Sequence, residues 1–210
     1  MADIKPNGAP SSDHQPTDLP RIPPALAAWR REQRASLIAR RETLSSAQRE
    51  AATATVARAL ETLLRGLGTG RIGLYWPIRH EFNLVPWARQ LARDSSLTLC
   101  LPVVVTPKAP LEYWRWTPGE PMAKGFWNIP VPTRRDPVDP DLVLAPLVGF
   151  DRAMYRLGYG GGYFDRTLAC RHPRPIAVGI GFDFSALESI TPQPHDIPMD
   201  AIVTEQRRIP

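Results

Sequence analysis

Cysteine is scarce in this sequence: Cys100 and Cys170 are the only two in 210 residues. Neither stands at metal-ligand spacing from a second cysteine or a histidine pair, which excludes the common zinc sites, and two thiols build no disulfide framework. Cys100 falls in the apolar run of residues 97–105 and reads as a buried strand residue. Both thiols are expected to stay reduced, in a cytoplasmic protein. Long apolar runs are missing too. Nothing approaches the roughly 18 residues of a membrane span, so no membrane partner is expected. The opening residues lack the apolar stretch of a signal peptide, and Asp3, Asp13 and Asp18 argue against a transit peptide. Rich in Pro, Ser and Asp, residues 1–22 read as a disordered tail. There is no internal repeat, no P-loop and no strict GxGxxG.

What remains is 43% hydrophobic and 22% charged, enough for one core. Residues 23–210 read as a single domain, with a monomer expected. The formal net charge of +5 can attract nucleic acid, anionic membranes or phosphorylated small molecules. Arg30, Arg31, Arg34, Arg40 and Arg41 lie close together, and taken alone they read as the solvated basic face of a helix. No aromatic–basic RNA-binding module accompanies them, so nucleic acid is not an expected partner.

Pro23 and Pro24 precede good helix formers and suit a first turn. They predict a helix over 25–41 with Leu26, Trp29, Gln33 and Leu37 on one face and Arg30 and Arg34 on the next. The capping box Ser45-Ser46-Ala47-Gln48 opens a second helix that runs to about Arg65, with Gly66 placed to end it. Strands are predicted over 71–78, 97–105, 111–116, 142–148, 175–182 and 201–205, and helices over 83–94 and 163–171. Residues 119–140 read as a long Pro-rich connection, and 151–162 as a loop. Strands alternating with helices imply an α/β fold with an open, mainly parallel sheet. Such sheets bind ligands beyond the carboxyl ends of their strands.

Residues 142–168 read as strand, loop, glycine turn and helix. Gly158, Gly160, Gly161 and Gly162 fall within five positions. That is a plain tight turn, or a concave backbone site for an anion backed by the positive end of the following helix. Asp165 lies in the first turn of that helix. It either satisfies the helix dipole or holds Mg²⁺ against phosphate, since a bare carboxylate would repel an anion. Arg156 stands just before the glycines, placed to meet phosphate directly. For Arg166 an exposed pairing is the simple reading.

The stretch FDRAMYRLGYGGGYFD, residues 150–165, resembles the signature of the 5-formyltetrahydrofolate cyclo-ligase family. The likeness includes Phe150-Asp151, Arg156-Leu157-Gly158 and Gly162-Tyr163-Phe164-Asp165, and runs in order from Trp29 to Glu205. It implies an open, mainly parallel twisted sheet flanked by helices, Rossmann-like and of the NagB/RpiA/CoA-transferase kind. It also implies an enzyme that uses ATP and Mg²⁺ to convert 5-formyltetrahydrofolate to 5,10-methenyltetrahydrofolate. Carried over by position, the resemblance assigns ATP to Arg30, Arg34, Arg156, Leu157, Gly158, Tyr159, Gly160, Gly161, Gly162, Tyr163 and Phe164. It assigns the folate to Trp76, Ile78, Glu81, Trp127, Tyr159, Gly160, Gly161, Gly162 and Tyr163. Asp165 and Asp196 take Mg²⁺, and Tyr163 and Arg156 act in catalysis. Trp114 is a second aromatic candidate for the pterin. The family usually has Lys where Arg30 stands, some relatives have Lys at Gly161, and Glu is common near Val131. Rival readings are a noncatalytic nucleotide- or folate-binding paralogue and another enzyme on the same sheet type.

Overall fold

The computed structural model describes residues 22–210 except 69 and 95; the tail expected over 1–22 lies, but for its last residue, outside the described residues. Helix α1 (Pro24–Glu42) starts on Pro23 as N-cap, with Pro24 in its first turn. Helix α2 (Ser46–Leu67) opens on the predicted capping box, with Gln48 N donating to Ser45 Oγ and Ser45 N to Gln48 Oε1. Its end is two residues later than predicted: Gly68, at φ 59°, takes the left-handed C-cap, so the helix runs past Gly66. Strand β1 (Arg71–Gly73) is far shorter than the predicted 71–78, because ladder pairing ends there and the chain passes through a turn at Arg79 and His80 before the helix α3 (Val85–Leu91).

Strands β2 (Thr98–Val103), β3 (Glu112–Arg115), β6 (Leu142–Pro146), β9 (Ile176–Ile180) and β10 (Ala201–Val203) match the predicted ones, trimmed at their ends. The connection at 119–140 is not structureless. It contains the antiparallel pair β4 (Met122–Lys124) and β5 (Pro130–Pro132). The loop after β6 likewise holds the short pair β7 (Gly149–Phe150) and β8 (Arg156–Leu157), followed by helix α4 (Tyr163–Cys170). Strand β11 (Arg208–Ile209) was also unpredicted. These pieces are two or three residues long, too short for any periodicity to show.

The seven-stranded sheet has the order β11-β10-β9-β6-β1-β2-β3. Its five inner strands are parallel and only the edge strands β3 and β11 run antiparallel. In β6, Leu142 and Leu144 face one core cluster with Val56 and Leu60 of α2 and Trp87 of α3. Val143 and Ala145 face another with Leu168 of α4. A strand covered on both faces has no polar side, which is why its sequence is continuously apolar. Truncating Leu60, fully buried, is expected to cost about 2–5 kcal/mol. The chain leaves β1 toward β2 on one side and returns to β6 on the other. The switch point therefore lies beyond the carboxyl ends of β1 and β6, the place where sheets of this kind bind ligands.

Candidate functional site

Helix α1 lies over that switch point. Its apolar anchorage is small, with Leu37 and Ile38 packed on Val148, Phe184 and Leu187. The rest of the same stripe is arginine. Arg30 and Arg41 are buried, at 4% and 2% exposure, so part of the basic face expected to be solvated is instead the helix's docking face, while Arg31 and Arg40 stay exposed. The signal was present: positions 30, 34, 37, 38 and 41 recur with helical spacing around Leu37. The stripe read as apolar, through Leu26, Trp29 and Gln33, is only half-buried.

Each arginine of the stripe meets a different part of the chain. Arg30 donates to Asp196 Oδ2 at 2.6 Å and to the carbonyls of Ile190 and Thr191. Arg34 donates through Nε to Gly158 O at 2.7 Å and lies against Gly160. Arg41 donates to Tyr159 Oη at 3.0 Å and to Leu147 O at 2.9 Å. One helix thus braces the glycine turn and the 190–196 loop together.

The turn itself follows from its residues. Gly160 has φ 96°, a conformation closed to most side chains, while a Cβ there would meet the Arg34 guanidinium at an ordinary 3.5 Å, so the backbone angle and not lack of space calls for glycine. Gly162, at φ 64°, is the N-cap of α4 and provides no side-chain acceptor. The first amides of α4 are therefore left for another acceptor, and the dipole there favours an anion. Arg166 is not an exposed partner of solvent. It donates to Gly161 O at 2.6 Å and stands over the Tyr163 ring.

Arg156 and Asp165 form a buried pair, with Arg156 Nη2 to Asp165 Oδ2 at 2.8 Å. Asp165 is thus no bare carboxylate, and the argument that it would repel an anion unless metal-bound does not hold as stated. Its charge is met by Arg156, which lies beneath the turn with its guanidinium over Phe164. Leu157 is buried in β8, so its side chain belongs to the core. Asp151 caps the loop, accepting from Ala153, Tyr155 and Ile190 amides.

Asp165 and Asp196 are brought together, since Ile197 N, next to Asp196, donates to Asp165 Oδ1 at 3.3 Å. Asp196 Oδ2 also accepts from Gln193 N, while its Oδ1 lies 3.9 Å from His195 Nε2. Among the described residues no group of three or more His, Cys, Asp or Glu lies together. The two carboxylates therefore do not form a protein-only cage. Both are engaged by arginine and by backbone amides, and two carboxylates are the number that Mg²⁺ takes from a protein when phosphate and water complete its shell.

A second pole forms on the segment after β1. Glu81 is buried, not an exposed residue beyond a strand. It accepts from Ile78 N at 3.0 Å through Oε2 and from Tyr159 Oη at 2.7 Å through Oε1, with Arg41 Nη1 at 3.9 Å. Burial pushes its carboxyl up to about 7, against the pull of the Ile78 amide, Tyr159 and Arg41. A carboxyl raised from 4.5 to about 7 holds its proton more tightly folded than unfolded. Its stabilising share is complete below pH 4.5 and is lost as pH rises through 7. Glu81→Gln is therefore expected to flatten the fall in stability across that window, on the order of 3 kcal/mol. Thermal midpoints of the two proteins at pH 5 and pH 8 check it.

Trp127 is 63% exposed and meets Tyr163 edge-on at 5.6 Å. It sits at φ 54° at the tip between β4 and β5, above Gly161. Tyr163 Oη accepts from Lys108 N at 3.3 Å. Trp76 packs edge-on against Trp116. Trp114, on edge strand β3, donates to Glu112. Cys100 is buried in β2, and burial pushes its thiol up to about 12, so it is no nucleophile at neutral pH.

Arg34 differs from its neighbours. Burial first, then the adjacent Arg30 charge, pull its pKa below the ordinary value. Among the described residues it forms no ion pair, and its recorded bond goes to a carbonyl. Arg30, Arg34, Arg41, Arg156 and Arg166 face only Glu81, Asp165 and Asp196, which leaves positive charge gathered beside open helix amides. The arrangement suits a polyanion beside the rings of Trp127 and Tyr163.

Residues 26–205 match the 5-formyltetrahydrofolate cyclo-ligase family. The chain is 30% identical over 186 residues to the 5-formyltetrahydrofolate cyclo-ligase of Mycolicibacterium smegmatis, covering 84% of this chain and 93% of that relative. With the 5-formyltetrahydrofolate cyclo-ligase of Escherichia coli it shares 40% identity over 68 residues, 32% of this chain and 37% of the relative. The NMR structure of Aquifex aeolicus 5,10-methenyltetrahydrofolate synthetase superposes with a TM-score of 0.74 at 28% identity, over 85% of this chain and 91% of that one. A 5,10-methenyltetrahydrofolate synthetase from Mycoplasma pneumoniae gives 0.71 at 22% identity, over 84% and 98%, a likeness that speaks for the fold alone.

Proposed function

Because the chain belongs to the 5-formyltetrahydrofolate cyclo-ligase family, we propose that it converts 5-formyltetrahydrofolate to 5,10-methenyltetrahydrofolate, consuming ATP and releasing ADP and phosphate. The observation that best supports this reading is Arg34: a half-buried guanidinium without a carboxylate, set against a glycine turn at a helix N-terminus.

The chemistry asks for that arrangement. The N5-formyl oxygen is a poor leaving group as it stands. Transfer of the terminal phosphoryl group of ATP to that oxygen gives a phosphorylated imidate and ADP. N10 then attacks the formyl carbon, the C–O bond to phosphate breaks, and the N10 proton is lost as the ring closes. In such transfers the protein chiefly positions the reactants and stabilises charge.

In this reading Arg34, Arg30 and the backbone of Gly158, Gly160, Gly161 and Gly162 hold the phosphates, with the first amides of α4, Tyr163 and Phe164, as further donors. Arg156 sustains the turn from beneath through Asp165. Glu81, with Ile78 and Trp76, orients the pterin, and Trp127 and Tyr163 cover it with Tyr159 on the turn side. Tyr163 takes the role of reaching the formyl group. Mg²⁺, when bound, would be held by Asp165 and Asp196 and would neutralise charge on the phosphate oxygens.

The test is direct. Protein, 5-formyltetrahydrofolate, ATP and Mg²⁺ are mixed and the absorbance of the methenyl product is followed. A rise that depends on ATP is expected, and its absence across pH and salt removes the assignment. ATP binding without turnover would instead select a noncatalytic paralogue.

A further inference from the structure

Arg41 is the most buried of the α1 arginines, yet nothing above gives it contact with phosphate. A buried guanidinium is costly unless its donors are met. Here one N–H goes to Leu147 O, at the carboxyl end of β6, and another to the Tyr159 hydroxyl; Nε has no partner. Phe182, after β9, lies with its ring 5.7 Å from the guanidinium carbon. A residue retained only for packing would be better served by an apolar side chain of the same volume. What Arg41 gains instead is control over a hydroxyl.

The hydrogen-bond directions are forced. Arginine can only donate, so Tyr159 Oη accepts from Arg41 and its own proton must point elsewhere. The acceptor is Glu81 Oε1 at 2.7 Å. Glu81 Oε2 is meanwhile fixed by Ile78 N. Both oxygens of the carboxyl are therefore oriented, Oε2 by the amide of its own turn and Oε1 by a hydroxyl whose direction Arg41 sets. Its 3.9 Å approach to Glu81 Oε1 adds attraction for the ionised form. We propose that Arg41 is a positioning residue of the folate site, acting through the Tyr159 hydroxyl to hold the Glu81 carboxylate ionised and correctly turned for the pterin. The inference rests on the reading of Glu81 as the folate-orienting group.

The groups facing Glu81 are few. Arg41 comes from α1, Tyr159 from the glycine turn, and Tyr75 from the segment after β1, where its hydroxyl donates to Phe82 O. The burial of Tyr75 and Tyr159 keeps both phenols neutral well above pH 10. Of the groups around it, then, only Glu81 titrates near neutrality.

The experiment uses steady-state kinetics of the full chain, with Arg41→Met, Arg41→Lys, Tyr159→Phe and the double variant Arg41→Met/Tyr159→Phe. Arg41→Met is expected to raise KM for 5-formyltetrahydrofolate by about tenfold or more, the worth of one charge-assisted hydrogen bond, with KM for ATP within twofold. The acid limb of the pH profile for folate kcat/KM moves to higher pH, and Arg41→Lys recovers part of both effects. The double variant is no worse than the poorer single one, because both act on one carboxylate. If Arg41→Met does not fold, as judged by circular dichroism, Tyr159→Phe still reports through the same two readouts. Effects that fall equally on both substrates, that multiply in the double variant, or that leave folate KM and the pH profile at wild-type values would overturn the inference. An inactive wild type would instead overturn the functional reading beneath it.

Discussion

Arg34→Ala is expected to lower kcat/KM for ATP by roughly a hundredfold or more while leaving the thermal midpoint nearly unchanged. The size follows from removing a half-buried, forked, charge-assisted donor from the proposed phosphate site. The small stability change follows from its surroundings. Arg34 is half-buried, one bond to Gly158 O is lost, and no carboxylate is left without a partner. Arg34→Lys keeps the charge without the fork and should recover only part of the rate. Arg30 provides the contrast. Its removal leaves the largely buried Asp196 carboxylate with only the Gln193 amide on Oδ2, so Arg30→Ala should lose rate and stability together. Kinetics and thermal melts of the three variants decide the matter. Unchanged ATP kinetics in Arg34→Ala would take the phosphates out of this site.

Asp165→Ala is expected to be the more damaging single change. It leaves the Arg156 guanidinium buried and unpaired, with Nε already lacking a partner. Breaking such a pair costs about 3–5 kcal/mol, which in a chain of this size lowers the thermal midpoint by roughly 10 °C. Turnover should be lost as well, because the glycine turn rests on that pair. Two companion variants separate structure from chemistry. Arg156→Met/Asp165→Leu removes both charges and should regain much of the stability but none of the rate. Asp165→Asn keeps an acceptor for Arg156 or Ile197 N and should fold; if the carboxylate also holds Mg²⁺, its rate will demand more of the ion. Full activity of Asp165→Asn at wild-type Mg²⁺ would confine Asp165 to its ion pair.

Much of this was legible in the sequence, and the reason is local. The Ser45–Gln48 capping box, the glycine crowding at 158–162 and the apolar runs of the inner strands are each written within a few consecutive residues. The turn and the helix after it stand where predicted, as does Asp165 in the first turn. What was not legible depends on partners far away in the chain. Arg30 and Arg41 look like surface residues until residues 190–196 and 147–159 are folded against them. Asp165 looks unpaired until β8 delivers Arg156. Glu81 looks exposed until Tyr159 covers it. The β4–β5 pair, whose tip presents Trp127, was hidden by its prolines. Pro130 and Pro132 suit an edge pairing that can spare a donor.

The Arg30–Asp196 bond joins residues 166 positions apart. During synthesis, the arginine stripe of α1 therefore lacks this partner until residue 196 has left the ribosome. A polypeptide broken off earlier would present α1 with an unmatched guanidinium and only a few apolar contacts to hold the helix down. A chain cut short of residue 196 would thus lack the carboxylate that holds Arg30 in place.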